Sequence, residues 1–389
     1  MKQSLLPIII IISLLGCTTT REIPYKEIID DFNKENNIAE TQYTLEKINS
    51  ITLPIDSLSL NHSYYPIYFD ADSTHYYITG NTSLNALDFY DLNKKKLVKR
   101  NFYDKTGPEG INGVRVAAIN NLSSIYLYSQ YQQVVHTNYK GDVLNFYKMP
   151  SLTKESLTRA HILSPLIYYQ NSLLLLNSSY YESFTLSGMP IFKFYKLDRN
   201  IFEYSIIKYP DFFSKYKCVY LFESDPRYIT NGNIVVYRYG FSNIINTYNL
   251  DTEEHNSFPI KSKYQNKPLL PFNAKNNSEI DPIEEEFHAS YHHILYDKYQ
   301  NCYYSVFQHE ALPTLPDGTA NNYENKPLSI LIMNETFQYM GEFLLPPKTY
   351  FRNFLVSKDG LMILRGHMND TSVPEDEITF DIFQLKEIK

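Results

Sequence analysis

The chain has 389 residues, with 36 Lys+Arg against 43 Asp+Glu and a formal net charge of −7. That acidic balance disfavours a nucleic-acid or polybasic membrane role, and the length is ample for one large core or two domains. Tyr (36) and Phe (23) are abundant, Gly (13) is scarce and Trp is absent, a mix that suits half-buried strands whose rings pack while their hydroxyls stay wet.

In chain order, the first signal is a charged Lys2, an apolar run from Leu5 to Leu15, and then Leu14-Leu15-Gly16-Cys17. The run is too short to span a bilayer and stops at a small residue plus Cys. It reads as a lipobox, a cleaved export signal over residues 1–16 whose Cys17 becomes the acylated N-terminus. A plain secretory peptide with an incidental Cys is the alternative. Cleavage removes Lys2, leaving 35 Lys+Arg against 43 Asp+Glu, a net −8. No later apolar run approaches the ~18 residues of a membrane span. Thr18 in place of Asp argues against retention at the inner membrane. Thr18-Thr19-Thr20-Arg21-Glu22 is a poor surface-export match, so the periplasmic face of the outer membrane is favoured. Residues 17–43 are polar and read mainly as a tether with a helical turn or two.

From about Thr44 the pattern changes. Short runs of Tyr, Ile, Phe, Leu and Val alternate with Asn, Asp, Lys and Gly turns almost to the C-terminus, which predicts an all-β chain of antiparallel hairpins over residues 44–389. A strand, polar turn and second strand recur at Leu87 to Tyr103, Val134 to Tyr147, Phe192 to Tyr209, Ile244 to Ile260 and Ile330 to Leu345, each preceded by another hairpin. Hairpin plus hairpin, repeated every ~45–65 residues, predicts a β-propeller. The units fall at 62–105, 112–149, 159–210, 225–262, 288–346 and 350–388. The last holds three strands, and the run at 44–55 is placed as its outer strand, closing the ring with both chain ends. Seven blades and a pair of β-sandwiches are the alternatives. Cys218 and Cys302 are expected as two buried structural thiols, although an exported compartment permits a bridge.

With a lipobox, a polar tether, six Tyr/Asn-rich units and the Gly-Pro turn at 104–111 between two of them, the chain resembles the TolB-like six-bladed propeller lipoproteins of gut-type Bacteroidota, a family of unknown function. The resemblance implies a fold and an address, and no reaction.

In a propeller the first strand of each blade lines a central channel. The residues leading into these strands are His62, Arg115, Arg159 with His161, Arg227, His288 with His292, and Arg352. On an acidic chain, a basic or imidazole group at each strand start suggests a ligand site for a carboxylate or phosphate. The alternative is that they bond neighbouring blades together. The spacing of His288 and His292 resembles a zinc pair, but Ala289 stands where the metalloprotease pattern needs Glu, so no metal is expected. Glu109, Asn112, Asp225 and Asn353 could in principle gather around calcium, but the adjacent arginines oppose a divalent cation. There is no Gly-x-Ser-x-Gly elbow and no phosphate-cradling Gly-rich loop, so no cofactor is expected. The expectation is a non-catalytic binding module anchored by lipid, taking a protein, peptide or anionic glycan and no nucleic acid. A channel-mouth hydrolase or lyase and an envelope scaffold are the alternatives.

Overall fold

Strands that are apolar on both faces must be covered on both faces, and this chain has several. Ser172–Ser178, Cys302–Gln308 and Gly360–Leu364 are buried at every position. The computed structural model solves this with a closed wheel. It describes residues 26–34, 42–59, 65–107, 110–111, 113–129, 133–150, 157–178, 186–211, 213, 225–270, 287–367 and 370–388.

A short helix, α1 (Lys26–Asn33), is followed by β1 (Tyr43–Pro54). Blade one is β2 (Ile67–Ala71), β3 (Thr74–Asn81), β4 (Ala86–Asp91) and β5 (Lys96–Phe102). Blade two is β6 (Val114–Asn121), β7 (Ser124–Ser129), β8 (Gln133–Thr137) and β9 (Val143–Lys148). Blade three has a broken inner strand, β10 (Leu157–Arg159) and β11 (Ile167–Tyr169), both paired with β12 (Ser172–Ser178), then β13 (Phe192–Lys196) and β14 (Ile201–Tyr204). Blade four is β15 (Arg227–Asn231), β16 (Ile234–Arg238), β17 (Ile244–Asn249) and β18 (His255–Pro259). Blade five is β19 (Ser290–Asp297), β20 (Cys302–Gln308), β21 (Leu328–Asn334) and β22 (Tyr339–Leu344). Blade six is β23 (Phe354–Ser357), β24 (Gly360–Leu364), β25 (Glu377–Glu387) and, last in its sheet, β1. The fold is therefore a six-bladed β-propeller, and the count of six holds over seven.

Closure is made by the pairing of β1 with β25 from Tyr43↔Glu387 to Pro54↔Glu377, with a bulge between Lys47 and Asn49. Leu53 and Leu45 of β1 are buried in the seam. Thr52 and Thr379 share a hydroxyl–hydroxyl bond of 3.1 Å, and Ser50 Oγ donates to Asp381 at 2.7 Å. A single chain thus ties its beginning to its end and leaves no open ring edge.

Each seam between blades carries an aromatic pair. These are Phe89–Tyr139 between blades one and two, Tyr126–Tyr168 between two and three, and Phe192–Tyr228 between three and four. Phe258–Phe337, Phe343–Phe383 and Tyr77–Phe380 complete the circuit, with ring centroids 4.7, 5.9 and 5.1 Å apart. Such pairs add about 0.5–1.5 kcal/mol beyond the area they bury. Blades four and five are also joined by Arg238, whose guanidinium lies 3.5 Å from the Tyr291 ring and donates to Ser305 Oγ at 2.8 Å. Beside it the buried Glu342 accepts from Ser262 Oγ at 2.6 Å and Lys263 N at 2.8 Å.

The two ends of the wheel differ. Strand direction alternates within a blade, so all connections between blades fall where the inner strands begin; this end is the mouth. At the other end the hairpin turns are short and take left-handed residues, among them Asp72, Gln170, Asn200, Asn301 and Gly360. A Cβ on Gly360 (φ 132°) would lie 2.2 Å from the Phe383 carbonyl oxygen. At the mouth, the Asn85 side chain donates to the carbonyls of Tyr103 (2.8 Å) and Ile111 (2.7 Å).

The segment expected as tether contains a docked element. In α1, Ile28 is buried in the seam core of blades three to five. Asn243 Nδ2 donates to the Asp31 carbonyl at 2.7 Å, and Lys261 Nζ donates to the Phe32 carbonyl at 3.0 Å while lying 4.1 Å from its ring. Cys302 is buried and free, its thiol pushed up to about 12 by burial, whereas Cys218 lies outside the described residues.

The closing strand gives a direct test. Replacing the fully buried Leu53 by Ala is expected to cost about 2–5 kcal/mol. Urea unfolding should show a lower midpoint with an unchanged slope; a midpoint at the parental value would mean that β1 does not hold the ring shut.

Candidate functional site

The break in the inner strand of blade three sits at the mouth and builds one half of the site. After β10, residues 160–166 leave the sheet, and the backbones of His161 and Ser164 bond to each other. The loop docks on blade four: Ser164 Oγ donates to the Pro226 carbonyl at 2.7 Å, and Tyr228 N donates to the Leu163 carbonyl at 3.1 Å. This brings Arg159 and His161 to Asp225. Arg159 Nη1 lies 2.7 Å from Asp225 Oδ2 with its side chain 43% exposed. Ser178 Oγ donates to the other carboxylate oxygen at 3.2 Å. Arg227 is 3% exposed, and its Nη1 donates to the Asp225 carbonyl at 2.6 Å. It stands behind Asp225 as a strut while Arg159 faces outward.

His161 Nδ1 accepts from the Leu163 backbone N–H at 3.3 Å, which leaves its proton on Nε2, 4.0 Å from Asp225. Burial lowers its pKa to about 4, and Arg227 and Arg159 add to this against the opposing pull of Asp225.

The other half comes from blades five and six. Strict alternation along β19 puts His292 and His293 on opposite faces. A bulge between Tyr291 and Ile294 breaks that alternation. The two rings meet with Nδ1 atoms 3.0 Å apart, so one donates and the other accepts. Burial holds His292 well below the usual imidazole range, and His293, Arg227, Lys326 and Arg352 depress it further. Burial likewise takes His293 to about 3, with Arg227 and His161 adding to the effect. Arg352 lies over the Phe351 ring at 5.0 Å, and the same ring meets His292 edge-on at 5.1 Å.

The structure therefore brings Arg159, His161 and Arg227 together, and His292 together with Arg352. Arg227 influences both groups, so they form one cluster around the mouth. His288 lies just before β19 and contributes its backbone carbonyl, which accepts from Lys326 Nζ. Arg115 lies in β6, but its side chain is outside the described residues, as are His62, Glu109, Asn112 and Cys17. Sequence reasoning missed Lys326, a lone lysine in the long connection after β20 with no local pattern to mark it. Among the described residues, no three His, Cys, Asp or Glu side chains are placed to share a metal ion. The inner strands of blades one to four line an open pocket of about 370 Å³ that includes Tyr68, Asn120, Tyr168 and Thr230.

Comparison with known proteins places this architecture. A family model described as a domain of unknown function (DUF4221) matches residues 42–344. A crystal structure of a DUF4221 family member from Bacteroides vulgatus superposes with a TM-score of 0.74 at 19% identity, covering 90% of this chain and 100% of that one. A crystal structure of a protein named as exported, from Bacteroides fragilis, gives a TM-score of 0.55 at 12% identity, covering 92% and 98%. At these identities the likeness concerns the fold alone. Among curated proteins none matches the chain.

The neutral histidines set a pH dependence. Their folded pKa values lie below the unfolded value, so their contribution is complete above about pH 6.5 and is lost as pH falls through it toward the folded values. For the buried His293 the loss between pH 6.5 and 5 is about 2 kcal/mol. Urea titrations at the two pH values should show this drop in the parent and a smaller one in His293→Asn. An equal drop in both would remove His293 as a cause.

Proposed function

The chain belongs to the DUF4221 family, and on that premise we propose that it is a lipid-anchored binding module of the cell envelope that takes an anionic ligand at the mouth of its channel. One observation carries the reading: Arg159 and Arg352 stand at the mouth, one on blade three beside His161 at Asp225 and the other on the approach to blade six beside His292 at the Phe351 ring. A guanidinium is a planar donor fork matched to carboxylate, phosphate or sulfate. Neutral imidazoles add N–H donors, and an anion placed among these groups offsets the repulsion between the cations. The buried Arg227 holds Asp225 and, through it, Arg159 in place. Peptide carboxylates and acidic glycans are the ligand classes that this donor set fits.

The lipobox at Leu14-Leu15-Gly16-Cys17 and the resemblance to TolB-like lipoproteins support attachment through Cys17 on the periplasmic face of the outer membrane. Among the described residues no helix is long and apolar enough to cross a membrane, and a structural relative is named as exported.

Two kinds of variant separate a ligand site from struts between blades. In R159Q/R352Q the introduced glutamine at 159 can still donate to Asp225. Affinity for a fluorescein-labelled polyglutamate peptide or a sulfated glycan should fall at least tenfold, with a smaller change in melting temperature than R227M gives. R227M should lower the melting temperature by several degrees, since it strips the donor from the buried backbone carbonyl of Asp225. Equal probe binding by R159Q/R352Q and the parent would end the binding proposal. Growth with an alkyne-tagged fatty acid should label the parent and leave C17A unlabelled; a labelled C17A would move the anchor elsewhere.

A further inference from the structure

The helix α1 says which way the wheel is turned. Its partners Asn243 and Lys261 lie in the β16–β17 connection and just after β18. In blade four β15 runs away from the mouth, and Arg227 at its start pairs with Arg238 at the end of β16. Residues 239–243 and 260–262 therefore lie at the mouth end. Ile28 belongs to the same buried core as Phe213, Phe241, Ile260 and Leu269, all in connections that leave from that same end. The N-terminal helix is thus seated on the face that carries the basic cluster.

Cys17 precedes Lys26 by nine residues. Nine residues span at most about 30 Å when fully extended. Turning the opposite face to a bilayer would require this segment to run outward from α1, past a loop, down a blade and under a turn. The eight-residue β19 alone accounts for ~26 Å of such a path. Nothing is left for the radial distance and the loops, whereas a bilayer beside the mouth is within easy reach.

We propose that the mouth face is the surface that this protein lays against its anchoring membrane, so that the basic cluster opens toward the lipid headgroups. The inference rests on the reading that Cys17 carries the anchor. Side chains on that face fit the partner. Leu312 is 73% exposed, and Leu315 and Tyr264 are each 39% exposed, in the connections on either side of β19 and β20. Tyr264 stands beside Lys263, whose Nζ lies 5.1 Å from its ring, and beside Lys267, which pairs with Glu310 at 2.7 Å. Apolar side chains interleaved with lysines suit the boundary between headgroups and water, where aliphatic stems lie on the apolar side and ammonium groups reach phosphate. The lipid supplies the attachment, so the acidic net charge of the chain is no obstacle. A ligand of the cluster would then be one presented at the membrane surface.

The absence of tryptophan makes the orientation measurable. Single-tryptophan variants L312W and K267W report from the mouth face, and D359W reports from the β23–β24 turn at the opposite end. The lipidated full chain is reconstituted into phosphatidylethanolamine/phosphatidylglycerol vesicles carrying a dansyl headgroup. Tryptophan is excited where tyrosine does not absorb, and energy transfer is read on the fraction that floats with the vesicles. Transfer from L312W and K267W is expected to exceed that from D359W several-fold. Equal or reversed transfer in floated protein would overturn the orientation while leaving the anchor standing. Failure of the parent to float would overturn the anchor reading and the proposal with it.

Discussion

No blade of this protein can cover its own faces. Strands such as Cys302–Gln308 are buried on both sides, so each sheet is stable only when sandwiched between two others. The hydrophobic cores accordingly run along the seams, with residues of blades three, four and five in one cluster and of blades five, six and one in another. Every seam needs its neighbour, and the final seam exists only if β1 returns to β25. Closure is thus the condition on which the rest depends, and the longest strand pair among the described residues is spent there.

A wheel made this way has unequal ends. Tight hairpin turns at one end use left-handed residues to reverse the chain within a few positions. The connections between blades collect at the other end, where backbone can leave the ladder. The break between β10 and β11 and the bulge in β19 both lie toward that end. Irregularity there re-aims side chains, and it is what brings Arg159 to Asp225 and His292 to His293. The mouth also concentrates costly groups. Arg227 and Asp225 are nearly fully buried, and the histidines stay neutral because burial and neighbouring cations both oppose a further charge.

Much of the architecture was readable from local pattern. Alternating runs and turn residues place the strands within a few positions, since each hairpin is encoded by neighbours in sequence. The strand at 44–55 could be assigned by elimination, because blade six lacked one. The docked helix was not readable as such: Lys26–Asn33 is short and half charged, and Ile28 acquires its role only from the core made by blades three to five. The site was partly legible. A basic group at each inner-strand start is a sequence feature, but which of them faces outward is not. Arg159 and Arg227 look alike in sequence, yet one is 43% exposed and the other is buried behind Asp225. Strand alternation separates His292 from His293, and the bulge reunites them. Lys326 had no pattern to betray it.

The amino-acid sequence by itself determined the all-β class, the repeat and its number, because these rest on contacts or periodicities spanning a few residues. Tertiary structure decided which of the cations face outward, which are struts, and on which face α1 lies. Those outcomes depend on side chains from blades far apart in sequence meeting in one volume. Burial and charge repulsion act there only after the ring has closed.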